Sequence, residues 1–207
     1  MSVQAEPRER VLEATYACVA RFGMGKTTVE DVVKESGVSR ASIYRLFPGG
    51  KDQLLRETVG WEMNRFFARL AEAVYDAPDF ASLLEEGLVF AHRAIQEHEV
   101  LRKVLDTEPD RFLPLITVEQ HRVLDFITAF LLPYLEREAR AGRVRPGVDL
   151  EAAAQYVARL VLSLIGSPGR WDMEDPGQVR VLVREELLGG ILVGESPSET
   201  PGPGSDL

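Results

Sequence analysis

Between Ser36 and Lys51 the sequence carries three cations, Arg40, Arg45 and Lys51, and no acid. The hydroxyls of Ser39, Ser42 and Tyr44 stand among them. Guanidinium groups bond guanine O6 and N7 in a fork, and hydroxyl groups bond phosphate oxygens. An ammonium at the start of the next helix, beside free backbone N–H groups, suits a phosphate oxygen, and Lys51 is so placed. The chemistry on offer is recognition of a polyanion.

Rival chemistries are weaker. Residues 20–27, Ala-Arg-Phe-Gly-Met-Gly-Lys-Thr, fit a relaxed phosphate-binding loop. Such a loop must follow a buried strand, whereas the residues before it form an amphipathic helix. His92 and His98 are six residues apart, which does not set both on one helix face, and His121 has no partner in sequence. Cys18 lies on an apolar stripe and has no second cysteine to pair with, which fits a reducing compartment. The sequence therefore offers no catalytic, metal or cofactor site.

The elements that position the basic stretch are helical. Val11, Leu12, Thr15, Cys18, Val19 and Phe22 recur at spacings of three and four, which predicts a helix over 8–22. A short helix starts at Thr27, with Glu30 three residues on, or at Thr28, with Asp31, and stops at Gly37. Ser39 caps a third, over 40–47, closed by Pro48, Gly49 and Gly50. If Ile43 faces the core, Phe47 falls about 40° away and Ala41 and Arg45 point outward, with Ser42 and Tyr44 on the flanks. Two short helices joined by a glycine turn, the second cationic and outward-facing, have the form of a helix-turn-helix.

Further helices are expected over 51–75, 80–98, 100–106, 118–141, 149–165 and 176–192, with a loop at 108–114. No alternating apolar run argues for a sheet. The expected architecture is all-α with about nine helices. A three-helix DNA-binding domain (1–50) precedes a larger ligand-binding and dimerisation domain (51–193). The segment 194–207 is rich in proline, glycine and serine and reads as a disordered tail.

Charge is divided along the 207 residues, whose formal net is −9. The first 60 carry nine cations against eight acids, and the excess of acid lies beyond them. An acidic body with a locally basic patch excludes a protein coated along its length with nucleic acid. No apolar stretch is long enough to span a bilayer, so a membrane partner is not expected and the cytoplasm is.

The run from Thr28 to Phe47, followed by Lys51-Asp-Gln-Leu54, resembles the DNA-binding signature of tetracycline-repressor-like (TetR-family) regulators. The resemblance covers about residues 8–60, with one more residue between Phe47 and Lys51 than the common Phe-x-x-Lys turn. It implies a homodimer on a palindromic double-stranded DNA operator, released by a small molecule. It also implies phosphate contacts from Thr28, Ser39, Tyr44 and Lys51, and base or phosphate contacts from Arg40, Ser42 and Arg45. The expected effector is lipophilic, in a pocket with Trp61, Phe67, Phe90, Phe126 and Phe130 on its wall. The expected subunit interface uses the stripes of the last two helices: Val157, Leu160, Val161, Leu164, Val183 and Leu187. A helical ligand-binding or adaptor protein, with the helix-turn-helix contacting protein, is the alternative.

Overall fold

In the computed structural model, which describes residues 6–193, the pattern resolves into nine α-helices: α1 (Pro7–Phe22), α2 (Val29–Ser36), α3 (Arg40–Leu46), α4 (Gly50–Ala73), α5 (Phe80–Gln96), α6 (Glu99–Thr107), α7 (Pro109–Arg140), α8 (Leu150–Gly166) and α9 (Pro176–Val181). A π-helical turn, Leu182–Leu187, continues α9. The only β feature among the described residues is one isolated antiparallel bridge, Val144 to Leu192. The expected tail lies outside them.

Side-chain caps start most helices, as orphan N–H groups require. Of the two candidates before α2, Thr28 takes the role. Its Oγ1 accepts from the Asp31 N–H (3.2 Å) and its own N–H donates to the Asp31 carboxylate (3.0 Å). Thr27 is instead buried, its hydroxyl donating to the Gly23 carbonyl. Ser39, Asp79, His98, Asp149 and Asp175 cap α3, α5, α6, α8 and α9. Gly37 ends α2 with φ +67°, a left-handed conformation that favours glycine.

Two expectations about helix extent fail. All but the first residue of the loop expected at 108–114 is helical, the opening turns of the 32-residue α7. Pro109 lies in its first turn, where the missing N–H has no partner to lose. The last helix does not run to Leu192: the Leu188 N–H reaches back five residues to Val183, and the chain turns at Gly189. The Arg145 N–H bonding the Ile191 carbonyl and the Val193 N–H bonding the Arg143 carbonyl then tie this end to the turn after α7.

Two main cores form. The N-terminal one gathers Val11, Leu12, Cys18, Val32, Ile43 and Phe47, and closes on α4 through Leu54. The larger joins α5, α7, α8, α9 and the π turn around Phe80, Leu88, Leu135, Val157 and Val183. Glu138, 2% exposed, is held in that body by the Arg143 guanidinium at 2.5 Å. Ile43 is fully buried and is what seats α3. Ile43→Ala is expected to lower stability by about 2–5 kcal/mol in urea unfolding. A loss below about 1 kcal/mol would mean that α3 is seated by something else.

Candidate nucleic-acid interface and effector cavity

The outward face of α3 follows from its inward one. Ile43 and Phe47 are each 0% exposed, and this turns Ala41, Tyr44 and Arg45 to the surface. Ser39 Oγ accepts from the Ser42 N–H (3.2 Å) and lies 3.0 Å from Ser42 Oγ, so both hydroxyls sit at the start of the helix. Arg40 meets Glu30 of α2 at 3.0 Å and lies over the Tyr44 ring, 5.7 Å from its centre. Among the described residues Arg45 has no ion-pair partner. The acid-free run in the sequence is therefore not acid-free in space, because α2 brings Glu30 to Arg40.

Thr28 is exposed at the start of α2, but its hydroxyl and its N–H are both engaged with Asp31. The burial of Asp31 is slight, and the hydroxyl and N–H of Thr28 hold its carboxyl below the usual range. Lys51 departs from expectation. Its ammonium turns inward and donates to the Gly25 carbonyl at 2.7 Å, a charge-assisted bond that a surface lysine lacks. Six of the seven candidate DNA contacts thus belong to α3 and the start of α2, and Lys51 braces the turn behind them.

A cavity of about 700 Å3 lies among α4, α5, α6, α7 and α8, within the range of small-molecule sites. Phe67, Phe126 and Phe130 are on its wall, with Phe67 and Phe126 ring centres 4.6 Å apart. Phe90 is not; it backs Phe66 at 6.1 Å and faces an adjoining pocket. Trp61 is not on the wall either. It packs on the N-terminal core, edge-on to Tyr16 of α1 (6.4 Å), beneath the Arg65 guanidinium. Neighbouring Glu62 takes the position on the wall.

Sequence reading missed the polar corner of this cavity. Tyr16, Glu62 and His98 come from α1, α4 and the residue before α6, and the rings of Tyr16 and His98 lie 6.2 Å apart. Burial pushes the Tyr16 phenol up, and Glu62 adds to the effect. For Glu62 burial also acts upward, but His98, Arg65 and Arg69 outweigh it and hold the carboxyl below its ordinary value. With separations of dozens of residues, no local spacing announces this cluster.

The junction with the N-terminal unit was also missed. Val19, Met24, Leu55, Val104 and Phe112 pack together, and all five also line the cavity. Beside them Glu108 accepts from the Gly25 N–H at 2.6 Å, and Lys103 donates to the Ala20 carbonyl at the end of α1 at 2.8 Å. A Cβ on residue 25 would sit 2.7 Å from the Glu108 carboxylate, so any larger residue there would displace that side chain from its bond to the turn. Cys18, near the end of α1, is 1% exposed, and burial, then Glu35 and Asp31, raise its thiol pKa.

The expected subunit face needs correction. Val157, Val183 and Leu187 are buried inside the protomer, because α8, α9 and the π turn close over α5. Leu160, Val161 and Leu164 are half-buried, and Val161 lines the cavity. The exposed apolar side chains of this region are Tyr156 and Val181.

Comparison with known proteins agrees with this architecture. The model of bacterial regulatory proteins, tetR family, matches residues 11–58, from α1 into α4. An uncharacterized HTH-type transcriptional regulator of Mycobacterium tuberculosis is 37% identical over 67 residues, 32% of this chain and 34% of that protein. The match thus spans about a third of such curated relatives. A solved TetR-family regulator of Mesorhizobium loti, described as putative, superposes with a TM-score of 0.65 at 16% identity, over 93% of this chain and 100% of its own. SmeT of Stenotrophomonas maltophilia, solved with triclosan, gives 0.59 at 21% identity over 98% and 100%. Residues 11–58 thus match the helix-turn-helix unit of bacterial regulatory proteins of the tetR family, and nearly all of the chain's length follows the fold of solved structures of that kind.

Proposed function

We propose that the protein is a sequence-specific DNA-binding transcriptional regulator, a cytoplasmic homodimeric repressor released from a palindromic operator by a small lipophilic effector. The observation that carries this reading is the double role of the N-terminal unit. One side exposes Arg40, Tyr44 and Arg45 on α3, and the other supplies Val19 and Met24 to the cavity wall. A ligand there touches the residues that set the attitude of α3. Two such helices read successive major grooves only when about 34–36 Å apart. An effector releases DNA only to the extent that it binds better to another spacing.

The apolar wall argues for a lipophilic effector, and the capture of triclosan by the fold neighbour SmeT is of the same kind. In this reading the subunit contact uses the outward side of α8 at Tyr156, Leu160 and Leu164, together with Val181. Val157, Val183 and Leu187 back it from inside. The Glu108–Gly25 bond carries the change from the cavity to the reading head.

Selection of bound sequences from random DNA by the purified protein is expected to give an inverted repeat; recovery of no preferred sequence would reject DNA reading. On that operator Arg45→Ala is expected to weaken binding by about 1–3 kcal/mol in gel shifts. Loss of affinity along a steep, linear log–log salt plot is expected as well. Glu108→Gln is expected to shrink the ratio of operator affinities without and with effector, while effector binding measured by calorimetry persists. An unchanged ratio would place the coupling elsewhere. Sedimentation at micromolar concentration is expected to give a dimer that Tyr156→Arg dissociates.

A further inference from the structure

The wall of the cavity has four polar side chains among its described residues: Tyr16, Thr58, Glu62 and His98. Thr58 is already engaged, its hydroxyl donating to the Leu54 carbonyl at 2.7 Å. The other three meet at one corner, shared with the adjoining pocket. Glu62 is the one formally charged residue among the described lining residues.

The carboxylate oxygens of Glu62 and Nδ1 of His98 have definite hydrogen-bonding states. Glu62 Oε2 accepts from Arg65 at 3.3 Å. Glu62 Oε1 stands 3.6 Å from His98 Nε2 and 3.9 Å from Arg69, both too long for a hydrogen bond, so it keeps acceptor capacity. His98 Nδ1 accepts from the Leu101 N–H at 3.0 Å. A neutral His98 ring therefore carries its proton on Nε2, toward Glu62, and presents no acceptor of its own. Burial pushes the Tyr16 phenol up, while His98, then Arg65 and Arg69, outweigh burial and hold the Glu62 carboxyl below its ordinary value. Arg65 and Arg69 line the adjoining pocket and not the cavity, and both are drawn to Glu62.

We propose that Tyr16, Glu62 and His98 form the head-group subsite of this cavity, selecting an apolar molecule with a hydrogen-bond-donating head, a hydroxyl or a protonated amine, over one ending in a carboxylate. A donor completes Glu62 Oε1, whereas a carboxylate sets a second negative charge against it inside an apolar wall, where like charges repel strongly. The inference rests on the reading of the cavity as an effector site and specifies the chemistry of its ligand. Tyr16 belongs to α1, so the head group touches the DNA-reading unit itself.

Three molecules of one chain length, 1-decanol, decylamine and decanoate, separate the possibilities in calorimetric titrations of the full chain near neutral pH. Decanol and decylamine are expected to bind at least about tenfold more tightly than decanoate. In Glu62→Gln, decylamine is expected to lose its affinity while decanol keeps most of its own, and decanoate is expected to approach decanol. A larger loss for decylamine than for decanol in that variant identifies the amine as ion-paired and the alcohol as hydrogen-bonded. Thermal unfolding of the variant checks that it folds, and the wild-type series decides the question alone if it does not. Decanoate binding as tightly as decanol to the wild type overturns the subsite and leaves the lipophilic cavity standing. Binding of none of the three overturns both.

Discussion

The backbone of Gly25 is held on both sides, its N–H by Glu108 and its carbonyl by Lys51. The arrangement of the two halves depends on this double grip. Lys51 opens α4, which joins the N-terminal core through Leu54 and the junction cluster through Leu55, and Glu108 stands where α6 gives way to α7. The turn between α1 and α2 is thus fixed to two elements that also build the cavity. Hydrogen bonds to charged groups are among the stronger ones, about 1.5–3 kcal/mol each, and their geometry defines orientation as well as affinity. Beneath them Met24 and Phe112 bring apolar contact to the same joint.

This joint makes the helix-turn-helix and the cavity a single mechanical object. The head is seated by Ile43 and Phe47 on one side and by the cluster around Met24 on the other. The cavity is lined by residues of the second seat and by none of the buried residues of the first, so a guest of the kind proposed would meet the second alone. An apolar wall interrupted at one corner orients an elongated guest, since only one end of it finds hydrogen-bonding partners. That corner includes Tyr16 of α1, so in the proposed reading the size and the polarity of a guest act at neighbouring points of the head.

What was legible in the sequence was local. Thr28, Gly37 and Ser39 announce helix ends because a cap or a left-handed stop involves residues a few positions apart. Ile43 and Phe47 announce the inward face of α3 because one helix carries both. The wall positions of Phe67, Phe126 and Phe130 were reachable from aromatic content on long helices, but a stripe does not distinguish a cavity wall from a core, and Phe90 and Trp61 lie elsewhere for that reason. The stretch 108–114 read as a loop, although a proline in a first turn, where Pro109 lies, begins a helix as readily as another ends one. Val157, Val183 and Leu187 read as an interface because the periodicity of an apolar stripe does not say whether its partner is the same chain or another. Glu30 on Arg40, Lys51 on Gly25 and the Tyr16–Glu62–His98 corner are all tertiary and leave no local trace.

Cys18 has a practical consequence. Its thiol lies inside the core of the reading head, 1% exposed, with Glu35 and Asp31 adding to the burial that disfavours the thiolate. Alkylating reagents and peroxides attack the thiolate, so the folded head shields its sulfur both by access and by charge state. As the only cysteine of the chain, it is a silent internal clock: the rate at which it is labelled measures how often the head opens, with no engineered probe.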